Sequence, residues 1–358
     1  MIMGEMWWKR MVNSVRFLED VQYFIDSGKS VVLNFPYAVP FLDIMTDEIS
    51  MRVSQNDKNF EVHDVSETIK IDGENTERIA NSGEYILHKF CPKSVRVRYL
   101  PTVHISRERY VASCKDTPLH TLVVCAVGID PHTAQSWIKS VNEYTENCTA
   151  EEHGIFILVT HGANVRSSGC VECLQFSDYI TDYDCMMLCL TMISSLPYSR
   201  IQKLYLSEVA SNIANNNVEN AGLLVSAEAD LIREPFETTK KIFEENNIKC
   251  TRLEEQVNDG VWEAQIRLVF PRIEDYRSKI VKKYESKIQK CLPITNSINE
   301  RIDKANDVEI AQLYTLCSSK GIADRSECKL LEKMRKARND LAHHNPLTFK
   351  QIMDLGIF

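Results

Sequence analysis

Apolar positions recur along this chain with two different periods. Over the first two-thirds, short apolar runs alternate with longer stretches at helical spacing. Val12, Val15, Phe17, Leu18, Val21 and Phe24 predict a helix over Met11–Ile25, stopped by Asp26-Ser27-Gly28. Ser30–Phe35, largely apolar and β-branched, predicts a strand buried on both faces. Further helices are predicted over Phe41–Val53 and Pro131–Asn147, and further strands over Phe60–Val65, Thr121–Ile129, Gly154–Thr160 and "CVECLQFSDYI". In Ser94–Tyr99, Val95, Val97 and Tyr99 alternate with Arg96 and Arg98, which predicts a half-buried strand that Val103–Ile105 continues. Strands alternating with helices, several of them apolar throughout, predict a mostly parallel α/β sheet covered on both faces, spanning residues 1–250.

From about Asp259 only the helical period remains. Trp262, Ile266, Val269, Phe270, Ile273, Tyr276, Ile280, Tyr284 and Ile288 line one side of Val261–Leu292, with Pro271 marking a kink or a junction of two helices. Asp307–Ser318, Ser326–His344 and Leu347–Leu355 add three more helices. Residues 259–358 are therefore expected to form an all-α bundle.

Composition narrows the partners. The chain has 358 residues, enough for two domains, and 44% apolar with 26% charged residues is ordinary for a globular protein. A net charge of −8 argues against binding nucleic acid or anionic membrane by bulk attraction, so such a contact needs a local basic patch. No run reaches the length of a membrane span, and the first residues show no apolar signal core, so a cytoplasmic protein without membrane contact is expected. The twelve cysteines sit among apolar residues and read as reduced thiols. Cys170, Cys173, Cys185 and Cys189 have a spacing that admits zinc, but the last two lie in the apolar helix "CMMLCLTMI", so no metal is expected.

Gly28-Lys29-Ser30 spells the end of a phosphate-binding loop in the wrong context. Such a loop follows a strand and opens a helix, whereas here the three residues end a helix and lead into a strand. If Ser30–Phe35 is the first strand of a nucleotide-binding sheet, the loop after it is "NFPYAVPFLDIM", which has no glycine and no lysine. Asp130 follows one buried strand, and Thr160 and His161 end the next. This layout resembles a degenerate P-loop NTPase domain of the signalling and conflict-system ATPases. The resemblance implies a sensor or regulatory domain; no cofactor is expected, and nucleotide binding stays open as an alternative.

The richest chemistry lies in "ECKLLEKMRKARNDLAHHNPL". Arg338, polar Asn339 and then His343, with Leu341-Ala342 just before the histidine, fall at the end of the last long predicted helix. The spelling resembles the HEPN family, whose motif is an arginine, four to six residues, and a histidine; the resemblance covers Asp259–Phe358. It implies a metal-independent endoribonuclease with Arg338, Asn339 and His343 as site residues, completed by a second protomer or another HEPN-containing partner. It also implies a place among effectors of prokaryotic antiviral defence or toxin systems. A histidine titrating near neutrality can activate the ribose 2′-hydroxyl or protonate the leaving 5′-oxygen, and an arginine fork can stabilise the charged phosphorane. On one helix Arg338 points about 100° away from Asn339, whereas Asn339 and His343 share a face. Lys333, Arg335 and Lys336 supply the local basic patch expected to bind RNA. The alternatives are a non-catalytic HEPN adaptor or assembly subunit, with Arg338 and Asn339 fixing helix packing and His343-His344 decorating a helix end, and a nucleotide-dependent switch.

Overall fold

The computed structural model describes residues 3–54, 59–66, 69–70, 77–78, 81–104, 106–149, 153–295 and 299–357. The chain divides into two compact units, Met1–Asp184 and Cys185–Phe358.

The first unit contains helices α1 (Met3–Arg10) and α2 (Val12–Asp26), strand β1 (Ser30–Phe35), α3 (Leu42–Val53) and β2 (Asn59–Asp64). A two-residue ladder, β3 (Ile69–Lys70) with β4 (Glu77–Arg78), comes next. Then follow α4 (Ser82–Phe90), α5 (Lys93–Arg96), α6 (Arg107–Ser113), β5 (Leu122–Ile129), α7 (Ala134–Asn147), β6 (Ile155–His161) and β7 (Val171–Gln175). Five strands form one parallel sheet in the order β2-β5-β6-β1-β7. β1, buried along its whole length, pairs with β6 on one side and β7 on the other. Its alternation divides the core: Phe35 packs against Phe17 and Phe176 with ring centroids 5.8 and 4.6 Å away, while Val32 joins the cluster that includes Phe90, Tyr144 and Phe156. Burying side chains of this size contributes about 1.5–3 kcal/mol each.

One expected strand is absent. Ser94–Tyr99 opens with the single turn α5 and continues as turns. Val95 and Tyr99, four residues apart, both pack on the core, and Arg96 donates a hydrogen bond to the His88 carbonyl oxygen at 3.1 Å. The Val/Arg alternation fits a strand, but the same residues also satisfy an i,i+4 spacing, and Pro92 at the N-cap removes a backbone donor that a strand would use. Val103 and His104 are likewise outside any strand, and Ile105 lies outside the described residues.

The division between units falls within α8 (Asp182–Met192), not near residue 250. The second unit contains α9 (Arg200–Ile213), α10 (Val218–Val225), α11 (Ala229–Arg233), α12 (Pro235–Glu245), α13 (Leu253–Leu268) and α14 (Phe270–Gln289). A two-residue hairpin, β8 (Ile294–Thr295) with β9 (Arg301–Ile302), precedes α15 (Ile310–Lys320), α16 (Arg325–Ala342) and α17 (Phe349–Asp354). Among the described residues no strand of the five-stranded sheet follows β7, so the apolar faces of α9, α10 and α12 need another partner. They share one core with α13 to α17, through Leu206, Val209, Leu224, Phe243, Val261 and Leu331. Pro271 sits in the first turn of α14, where a proline costs no helical hydrogen bond, so two helices meet there.

α9 and α13 cross closely at Gly260. A Cβ there would come 2.7 Å from the Ile213 backbone nitrogen. Gly260→Ala is therefore expected to destabilise the second unit by about 1–3 kcal/mol, the cost of overpacking a dense contact, read as a lower urea midpoint. An unchanged midpoint would show that the two helices separate at little cost.

Candidate functional site

α16 starts at a firm cap. The Asp324 carboxylate accepts the Ser326 and Glu327 N–H groups at 2.8 and 2.9 Å and the Ser326 hydroxyl at 2.6 Å. Bonding to the Ser326 side chain, then to the Glu327 backbone, holds its carboxyl below the usual aspartate range. A depressed folded pKa means that this contribution is complete above the unfolded value, about 3.9, and disappears as pH falls through the folded value. Asp324→Asn should remove part of the acid dependence of stability, so the difference in melting temperature between wild type and variant should narrow from about pH 5 to pH 3. An equal difference at both pH values would show that the carboxylate charge contributes nothing.

The last turns of α16 carry Arg338 and Asn339, and His343 is the C-cap residue. Arg338 is half-buried in a cleft of about 250 Å3 formed with Phe270, Glu274, Arg277, Asp307 and Glu309. Glu274 is already taken by Arg277, whose Nε donates to it at 2.7 Å and whose guanidinium also donates to the Val308 carbonyl oxygen at 3.0 Å. Arg338 makes no ion pair or side-chain hydrogen bond among the described residues, and neither do the exposed side chains of Asn339 and His343. The neighbouring cations are engaged. Lys333 lies 3.4 Å from Asp354, Lys336 lies 2.9 Å from Glu332, and Arg335 stacks 4.9 Å over the Tyr314 ring with its Nε buried. Lys333 and Lys336 nevertheless remain exposed at the surface beside these partners.

His344 is held by groups that no sequence motif marks. Its backbone is in the left-handed region, φ 61°, which costs a non-glycine residue about 1–3 kcal/mol. Its Nε2 lies 2.9 Å from Asp259 Oδ1, and its ring stacks on Trp262 with centroids 4.0 Å apart. The Trp262 indole N–H donates to the Leu341 carbonyl oxygen at 2.7 Å, which completes the end of α16. The only trace of this in the sequence is that Asp259 and Trp262, three apart, share a face of α13. His344 borders a cleft of about 640 Å3 that also holds Arg252, Glu254, Glu255 and Asp259. Arg338 and His344 line different clefts, and His343 lines neither. One chain does not converge the motif side chains on a common pocket.

No family model, curated protein or solved structure matches this chain.

The carboxyl ends of a parallel sheet are the other place where a ligand would bind. Gly28, φ 71°, stops α2, and the Lys29 N–H returns to the Phe24 carbonyl oxygen at 2.9 Å. Lys29 pairs with Glu172 at 2.7 Å, and the Ser30 hydroxyl accepts the Phe156 N–H at 3.0 Å. All three letters of the phosphate-loop spelling thus have structural partners. Chain order reverses between β1 and β6, and the space above them is occupied. Asn34 bonds the Ala163 backbone in both directions and donates to Gln175 at 2.7 Å, while the Gly162 N–H donates to the Phe35 carbonyl oxygen at 2.8 Å. Thr160 donates to the Ile129 carbonyl oxygen. A cavity of about 590 Å3 does lie beyond β5, bordered by Ser66, Asn81, Asp130, Trp137 and His161. Among its described lining residues there is no lysine or arginine, and Asp130 contributes a carboxylate.

None of the twelve cysteines forms a disulfide, and Cys185 and Cys189 are buried on α8. No helix among the described residues is long and apolar enough to cross a membrane.

Proposed function

We propose that the helical unit is a HEPN-like, metal-independent endoribonuclease whose site is completed by a second copy of the chain. The observation that carries this reading is selective. Of the six cationic or histidine side chains between Glu332 and His344, four are committed to a carboxylate or a ring, and the two left uncommitted are the motif pair, Arg338 and His343. An imidazole free in solvent can take the proton of a ribose 2′-hydroxyl as its oxygen bonds to phosphorus. The P–O5′ bond then breaks, and the 5′-oxygen leaves with a proton from solvent while the imidazolium returns its own to solvent, producing a 2′,3′-cyclic phosphate. A guanidinium whose donors are not taken by a carboxylate can turn them to the phosphorane oxygens. The two groups are about 140° apart around α16, so one copy supplies the arginine and the other the histidine.

In this reading the α/β unit regulates or recruits, in the manner of effectors of prokaryotic defence or toxin systems. Cleavage of labelled RNA by the wild type and by the Arg338→Ala and His343→Ala variants tests it. Equal cleavage by all three, or none by the wild type, would leave the bundle as an adaptor.

A further inference from the structure

The segment 93–109 of the α/β unit carries five cations, Lys93, Arg96, Arg98, Arg107 and Arg109, and one carboxylate, Glu108, in a chain of net charge −8. Its fold leaves two of these cations available. Arg109 is paired with Glu143 at 3.0 Å and Arg96 is bound to His88, but Lys93 and Arg98 are exposed and make no ion pair among the described residues. Beside them Val97, Leu100 and Val103 are 63%, 53% and 69% exposed, three aliphatic side chains left largely open to solvent. The segment is nevertheless held in place. The Tyr99 and His104 rings stack 5.6 Å apart, Tyr110 packs against both, the Arg107 guanidinium lies 5.7 Å from the Tyr99 centroid, and the Tyr110 hydroxyl donates to the Val95 carbonyl oxygen at 2.7 Å.

We propose that this surface binds single-stranded RNA, with phosphates on Lys93 and Arg98 and unstacked bases against Val97, Leu100 and Val103. Charge complementarity selects a polyanion, and the apolar side chains between the cations select one that also offers exposed flat faces, as a single strand does and a duplex does not. An acidic peptide would need a groove or a free sheet edge, and the segment is a single helical turn followed by turns. An interfacial membrane helix would need a continuous apolar face over several turns. The choice of RNA rests on the ribonuclease reading, since this surface would then recruit the substrate that the bundle cuts.

The test is fluorescence anisotropy with a labelled single-stranded RNA of about 20 nucleotides, using full-length protein with Arg338→Ala to keep the probe intact. Lys93→Glu with Arg98→Glu is expected to weaken binding at least tenfold and to lower the slope of log affinity against log salt by about 1.4, about 0.7 for each phosphate no longer neutralised. Leu100→Ser should weaken binding with the salt slope unchanged. Both substitutions are at exposed positions, and an unaltered melting temperature checks the fold. Unchanged affinity in the charge-reversal variant overturns the proposal, as does a preference for duplex RNA, polyglutamate or phosphatidylglycerol vesicles over the single strand. Cleavage by the wild type with no effect of Lys93 and Arg98 refutes this surface alone, and binding that depends on them without any cleavage refutes the ribonuclease reading alone.

Discussion

Arg338→Ala and His343→Ala are each expected to lower RNA cleavage by about 10²–10⁴-fold, the range that positioned proton transfer and fixed charge contribute to catalysis. The free state of both side chains makes the prediction sharp. Neither makes an ion pair or a side-chain hydrogen bond among the described residues, so truncation should remove chemistry at a stability cost limited to the packing of the half-buried Arg338 stem. His344→Ala is the contrasting case. It breaks the contact with Asp259 and the stack on Trp262, so it should cost stability and affect cleavage far less. Mixing the two inactive variants gives a further readout. If arginine and histidine come from different copies, a mixed dimer contains one intact pair and part of the activity returns. A mixture as inactive as its components would mean that each copy uses its own pair, and full cleavage by both single variants would remove the catalytic reading.

Gln265→Leu should be among the most damaging single changes in the second unit, although leucine is close to glutamine in size and more apolar. Gln265 is fully buried. Its amide nitrogen donates to the Tyr205 hydroxyl and the Leu347 carbonyl oxygen, each at 2.9 Å, and its oxygen accepts the Leu347 N–H at 2.6 Å. Leucine would leave the Leu347 backbone donor and acceptor without these partners. At about 1–3 kcal/mol for each orphaned group, a loss of at least about 2 kcal/mol is expected by chemical denaturation. The effect should reach the site. Leu347 anchors the chain just beyond His343 and His344, so its amide should lose protection from hydrogen exchange in the variant. A loss below about 1 kcal/mol would mean that water replaces the amide easily and that the anchor is weak.

Much of the architecture is legible in local pattern. β1, β5 and β6 lie where unbroken β-branched runs predict buried strands, and α2, α3, α14 and α16 lie where apolar residues repeat at 3.6. Gly28 acts as the helix stop that its position predicts, because a left-handed residue after α2 favours glycine. Where pattern misleads, two periods fit the same few residues. Val95, Val97 and Tyr99 alternate as a strand would, while Val95 and Tyr99 also stand one helical turn apart, and only their packing on the core decides between them.

At the candidate site the sequence by itself determined the list of chemical groups, a helix ending in Arg338, Asn339, His343 and His344. It also set the net charge and the local excess of arginine around residue 98. Tertiary structure decided which of those groups are free. Lys333, Lys336 and His344 find carboxylates that arrive from 354, 332 and 259, and Arg335 finds a ring from 314. Only the partner of Lys336 is a neighbour on the same helix; the others come from distant parts of the chain. Tertiary structure also set the boundary between units at 184, because helices without a sheet to cover must bury their apolar faces against other helices. Residue type states what a side chain is able to do, and whether it stays available depends on neighbours that only folding brings within a few ångströms.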